Sequence, residues 1–239
     1  MDDNTEMLIG GVPEGYDGVV LSQLIEAEND VLFVARDDRR MAAVQASLRF
    51  FASTIEVIEF PAWDCLPYDR VSPKSDIVAA RIDALTNLVD TKGKQPRIIL
   101  TTVAALLQRV PARQTFEGSN MTCGKGEVTS RDRLLEFLKQ NGYGRSETVM
   151  EPGEYAIRGG IIDLFPPGVE EPLRLDFFGN DLDGIRQFEP FSQRTTGEAD
   201  SFILKPVNEI SLDEEAISRF RTAYRALFGA ISSEDPLYE

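Results

Sequence analysis

EYAIRGGIIDLFPPGVEEPLRLDFFGNDLDGIRQFEP, residues 154–190, is cut by glycine and proline into short alternating segments. EYAIRG, GIIDLFP, LRLDFF and LDGIRQFE each follow the period of two expected of a strand, and the breaks between them are turn-forming. SETVM (146–150) before them and FILKP (202–206) after them read as further strands. Such a succession predicts an antiparallel sheet. TSRDRLLEFLKQNGYG (129–144) is predicted to form one helix, capped by Thr129 or Ser130 and ended at Asn141-Gly142. Sheet and helix together define a smaller α+β domain over residues 114–207.

Strand parity singles out particular side chains. In PLRLDFF, Leu175 and Phe177 belong to the core face, which leaves Arg174, Asp176 and Phe178 on the other. Two readings of Phe178 stay open. Arginine beside an exposed aromatic is the composition of an interface anchor. Alternatively, Phe178 sits at a sheet edge or turn and packs locally. Arg158 stands at a turn between strands, followed by a Gly-Gly step. Arg186 and Arg194 are weaker candidates, because neighbouring carboxylates can pair with them. Acidic pairs such as Asp181 and Asp183 have the composition of glycosidase carboxylates, but the chain holds 40 acids and pairs arise by chance.

Working back toward the N-terminus, the texture changes near residue 112. Strand-like and helix-like segments alternate over residues 1–113. MLIGGV (7–12) reads as a strand leading into a glycine loop, and VVLSQLIEAE (19–28) as a helix with Val20, Leu21, Leu24 and Ile25 on one face. VLFVAR (31–36) reads as a strand buried on both faces, IEVIEF (55–60) and RIILTT (97–102) as two more. Asp37 or Asp38 caps a helix bearing Met41, Val44, Leu48 and Phe51 at helical spacing. Ile77, Ala80, Arg81, Ala84, Leu85 and Leu88 form another such stripe, and VAALLQRV (103–110) a short helix. This order predicts an α/β domain with a parallel sheet. PAWDCLPYDRVSPKSD (61–76), with three prolines and two aromatics, reads as a long semi-rigid loop.

GGVPEGYDG (10–18) carries Gly10 and Gly15 at the spacing of a P-loop, but Tyr16 and Asp17 occupy the places of its Lys and Ser/Thr. Those two side chains contact the phosphates and hold magnesium in a working loop. Glu14 and Asp17 would repel a triphosphate, and Pro13 removes an N–H donor. No acidic pair ends a hydrophobic strand in this half to hold magnesium. The loop is thus expected to be a strand-to-helix turn without ATP hydrolysis.

Composition narrows the function classes further. The chain has 239 residues, no histidine and a formal charge of −15. Lack of histidine removes Ser-His-Asp and Cys-His catalysis and the usual zinc sites. The negative charge opposes broad contact with a phosphate backbone and favours a protein partner. Cys65 and Cys123 lie in no CxxC pattern and have no histidine to activate them, so reduced thiols in a cytoplasmic protein are expected. No segment has the length and apolarity of a membrane span. Residues 208–239 are expected to contain a helix from Ser211 to about Gly229, with Ile217, Phe220, Tyr224, Leu227 and Phe228 as its stripe. EDPLYE (234–239) gives no natural finish, which suggests a longer parent.

FPAWDCLPYDRVSPKSDIVAARIDAL (60–85), RLLEFLKQNGYGRSETVMEPGEYAIRGGIIDLFPPG (133–168) and PLRLDFFGNDLDGIRQFEPFSQRT (172–195) closely resemble the N-terminal part of bacterial transcription-repair coupling factors. That part is itself similar to the excision-repair protein UvrB. The resemblance implies a RecA/helicase-like first domain with a degenerate P-loop, and a second domain that docks on the damage-recognition ATPase UvrA. YDRVSP (68–73) passes quickly into a helix, leaving no room for the aromatic β-hairpin of UvrB. Carried over the matching blocks, the UvrA-contacting positions are Arg158, Arg174 and Phe178. The resemblance further implies that the C-terminal domain of a full-length parent covers this face until activation, and that ATP, magnesium, DNA and RNA polymerase engage other domains. No cofactor is expected within this chain. The competing reading is a helicase-like fragment that retains weak ATP or DNA binding. Arg174→Ala and Phe178→Ala are expected to weaken UvrA binding with little change in the thermal melt.

Overall fold

The computed structural model describes residues 8–25, 30–66, 70–90, 95–126, 130–209 and 214–229. The chain divides into two compact units, Met1–Val110 and Pro111–Glu239.

The first unit contains α1 (Asp17–Ile25), β1 (Val31–Ala35), α2 (Asp38–Phe51), β2 (Val57–Phe60), α3 (Ser75–Val89), β3 (Ile98–Thr102) and α4 (Val103–Leu106). Its sheet has three parallel strands in the order β1-β3-β2. Every residue of the central β3 is buried, as its continuous apolar and threonine run requires. Leu21, Ile25, Met41, Val44 and Leu48 cover one face together with Ile98 and Leu100. Asp37 caps α2, its carboxylate accepting from the Arg40 N–H at 2.8 Å.

Three expectations fail in this unit, each for a local reason. β1 is covered on one face only: Val31, Phe33 and Ala35 join the core, while Leu32 and Val34 stand exposed on the other. Phe51 and Leu24 lie at the margins of their helical stripes and are also exposed. Among the described residues of MLIGGV, 8–12 form no strand, and Leu8 and Ile9 are exposed. Met7 and residues 26–28 lie outside the described residues. The glycine loop is therefore not a strand-to-helix turn in this structure.

What the loop does instead is brace two helices. Ser47 on α2 donates its hydroxyl to the Gly15 carbonyl at 2.5 Å and accepts from the Gly18 N–H at 3.1 Å. Arg40 on the same helix pairs with Asp17 at 2.6 Å. A Cβ on Gly18 would meet the Ser47 carbonyl carbon at 2.8 Å and its oxygen at 2.9 Å, so only glycine permits this approach. Behind the proline-rich segment, the wholly buried Arg81 lies between the rings of Phe60 and Trp63, 4.3 Å from each centroid. It also donates to the Pro61 carbonyl at 2.7 Å, which pins the start of that loop.

The second unit contains β4 (Met121–Gly124), α5 (Arg131–Gln140), β5 (Gly144–Arg145), β6 (Glu154–Arg158), β7 (Ile161–Leu164), β8 (Leu173–Phe178), β9 (Asp181–Phe188), β10 (Thr195–Glu198), β11 (Ser201–Leu204) and α6 (Glu214–Phe228). A six-stranded sheet runs β10-β9-β8-β7-β6-β5, antiparallel except where β5 meets β6, and β11 pairs with β4 in a separate ribbon. Leu134 and Leu138 of α5 pack with Tyr155, Ile162, Leu164, Leu173, Leu175 and Ile185 from one sheet face and Phe202 and Leu204 of β11. Tyr143 reaches through this core to donate to the Lys205 carbonyl at 2.8 Å, and its burial pushes the phenol pKa up.

SETVM is not a strand. The pairing falls earlier, at Gly144–Arg145, while the Met150 and Glu151 N–H groups donate to the Glu154 carboxylate. Of the two expected caps of α5, Ser130 holds the position without a side-chain bond, and Thr129 lies outside the described residues. The stripe on α6 is exposed: Ile217, Phe220, Leu227 and Phe228 face outward. Residues 211–213 and 234–239 lie outside the described residues.

Candidate partner-docking site

The sheet face turned away from the α5 core carries the charged residues. Its register places Ala156, Asp163, Arg174 and Arg186 in one cross-strand line, and Arg158, Ile161, Asp176 and Gly184 in the next. β9 holds one extra residue, Asp183, because Asp176 pairs with Gly184 while Phe177 pairs with Leu182. The alternation of β8 is thereby kept, with Phe177 against the core and Phe178 85% exposed.

This face has a small core of its own, built from Val149, Ala156, Phe165 and Phe188. Asp163 is buried beside it, its side chain 1% exposed. Arg174 grips that carboxylate in a fork, Nε to Oδ1 at 2.7 Å and Nη2 to Oδ2 at 2.9 Å. Its guanidinium also lies 4.5 Å from the centroid of the Phe188 ring. The Asp163 hydrogen bond holds the Arg174 pKa above its ordinary value. Arg158 approaches the same carboxylate at 3.5 Å, with its side chain 48% exposed. Arg186 and Asp176 form a second forked pair, at 3.0 and 2.9 Å.

Arg174 is therefore less available than strand parity alone suggests, because its side chain is only 15% exposed and neutralises a buried acid. Arg158 and Phe178 are the more open of the three expected positions. The Gly-Gly step sets the turn between them. Gly159 takes φ +62, and a Cβ on Gly160 would meet the Phe177 carbonyl oxygen at 2.8 Å. The turn after Arg158 thus lies directly against the end of β8, where the Phe177 N–H donates to the Gly160 carbonyl at 2.8 Å. Arg131 of α5 supports this turn from below by donating to the Gly159 carbonyl at 3.2 Å.

Sequence reasoning missed Asp163, Gln193 and Phe191. Asp163 sits in an apolar strand, IIDLF, where a lone acid opposite Arg174 could have signalled a buried pair. Gln193 has φ 59, the one positive value outside glycine among the described residues. Its side-chain carbonyl accepts from Arg174 at 3.1 Å, and its amide donates to the Val149 and Pro190 carbonyls. Nothing in the sequence marks that conformation. Arg194 is exposed, and its backbone carbonyl accepts from the Glu189 N–H at 2.9 Å.

Gly10, Gly15, Tyr16 and Asp17 belong to the first unit, and the described residues contain no cluster of three His, Cys, Asp or Glu suited to a metal ion. Both cysteines are free thiols. No helix among the described residues is long and apolar enough to cross a membrane.

A six-stranded sheet with one face on a helical core and the other lined by forked arginines defines a class. Residues 121–209 match the family described as "UvrB interaction domain". The chain is similar to the transcription-repair-coupling factor of Haemophilus influenzae, with 35% identity over 228 residues, 95% of this chain and 20% of that protein. The Escherichia coli protein of the same name is 32% identical over 235 residues, again covering 20% of its length, and that of Bacillus subtilis 29% over 215 residues, covering 18%. Residues 121–209 thus match a UvrB interaction domain, and the chain is similar to part of the transcription-repair-coupling factors, spanning about a fifth of the length of the curated relatives it matches.

Proposed function

We propose that this chain is a non-catalytic recruiting module, which docks UvrA through Arg158, Arg174 and Phe178 and so brings nucleotide excision repair to stalled transcription complexes. One observation carries the reading. Arg158 and Asp176 share a cross-strand line, Phe178 follows two residues along β8, and the Gly159-Gly160 turn abuts that strand end. A bare phenyl ring beside fork-shaped cations suits a partner surface of apolar pocket and carboxylates. The test is capture of UvrA from purified components by the wild-type chain and by Arg158→Ala and Phe178→Ala. Retention by wild type with loss in both variants supports the reading, and equal retention by all three refutes it.

The first unit, in this reading, is a reduced RecA-like domain that has given up nucleotide chemistry. Its loop N–H at Gly18 is already used by Ser47, and Asp17 by Arg40. Titration with magnesium-ATP is expected to give no saturable binding below millimolar nucleotide. Such binding, or a low-salt gel shift with DNA, would favour the alternative of a helicase-like fragment. A cytoplasmic setting, a covering contact from the C-terminal domain of a longer protein, and engagement of RNA polymerase and DNA through other domains belong to the same proposal.

A further inference from the structure

Phe191 is as exposed as Phe178, at 85%, yet its loop is tightly constrained. The Glu189 carboxylate accepts from the N–H groups of Phe191 at 3.0 Å and Ser192 at 2.6 Å. The Ser192 side-chain hydrogen bond, and then these two N–H bonds, hold the Glu189 pKa below the usual carboxylate range. Gln193 closes the turn, donating its N–H to the Glu189 carbonyl at 2.8 Å while its left-handed backbone turns the side chain onto Arg174. A non-glycine residue in that conformation carries a local cost, and here three side-chain bonds over-determine it. The result is a phenyl ring presented to water on a pre-ordered loop that is tied to the arginine row.

We propose that the docking face extends across this row to Phe191, which serves as a second apolar anchor for the same partner. The inference rests on the UvrA-docking reading above. Phe178 stands at the hairpin end of β8 and β9, and Phe191 beyond the opposite end of β9. Their separation along the strand is about 25 Å, by a rise of about 3.3 Å per residue. A footprint of about 800 Å² on one partner is about 30 Å across, so both rings fit one interface of ordinary size. The exposed Arg158 lies on the cross-strand line of Asp176, two residues before Phe178, the exposed Arg194 stands three residues after Phe191, and Arg174 bonds to Gln193 between them. The complementary surface has an apolar pocket at each end and carboxylates opposite the two exposed arginines. Because the loop is fixed before binding, little ordering entropy is lost when the second ring is buried.

The test compares the dissociation constant of UvrA for the wild-type chain, Phe178→Ala, Phe191→Ala and Phe191→Leu, with thermal melts of each. Phe191→Ala is expected to weaken binding about tenfold or more without changing the melt, and Phe191→Leu to restore most of the affinity. If Phe178→Ala weakens binding and Phe191→Ala does not, the extension is wrong and the docking reading stands. If neither variant differs from wild type, both are wrong. Sedimentation of the chain alone is expected to show a monomer. A dimer abolished by Phe191→Ala would assign the ring to self-association instead.

Discussion

Arg174 carries two roles that a single substitution cannot separate. Its fork neutralises Asp163, which is buried, and its remaining donors reach Gln193. Breaking a buried pair by deleting one partner typically costs about 3–5 kcal/mol, because the other charge is left without compensation. Arg158 at 3.5 Å offsets part of that cost. Arg174→Ala is therefore expected to lower the melting temperature by on the order of 10 °C, contrary to the reading from strand parity alone. A melt within about 2 °C of wild type would contradict the role of Asp163. Phe178 is the cleaner probe, since a side chain already in water contributes within about 0.5 kcal/mol to stability.

At the scale of elements, two substitutions test how the first unit is packed. Gly18→Ala forces a Cβ against the Ser47 backbone, where α1 and α2 meet. Overpacking of this kind costs about 1–3 kcal/mol, so a clear drop in melting temperature is expected; an unchanged melt would mean the helices are not held this closely. Glu59 on β2 is half-buried, and desolvation raises its carboxyl pKa, partly offset by Arg49. A raised carboxyl pKa means that the folded state binds more protons, so stability falls as pH rises from the unfolded value, about 4.3, through the folded one. Glu59→Gln is expected to raise the melting temperature at pH 7 and to have little effect at pH 4. An equal effect at both values would assign it to packing.

The same scale explains what was legible. LRLDFF alternates cleanly, so its strand and the face that carries Phe178 could be read directly, whereas the choice between an exposed ring and local packing stayed open until the structure showed the ring exposed. TTGE and MTCG carry no such alternation, and β10 and β4 form only because β9 and β11 offer edges to pair with. MLIGGV has strand-like composition, yet its residues 8–12 form no strand. Local pattern predicts an element only where the tertiary partner exists. The arginine row was legible by parity, whereas Asp163, Gln193 and Phe191 depended on cross-strand register and on one left-handed residue.

For the molecule as a whole, the charge suits the proposed protein partner better than nucleic acid. The formal charge of −15 is far from that of a surface made for a phosphate backbone, yet arginines gather on one sheet face. Raising salt is expected to slow UvrA association more than dissociation, since the exposed cations steer the encounter and the phenyl rings hold the complex. The central claim turns on Phe178. Calorimetric titration of UvrA with the wild-type chain is predicted to be saturable, and Phe178→Ala to bind at least about thirtyfold more weakly, or about 2 kcal/mol, with the same melt. Equal affinity of the two chains would contradict it.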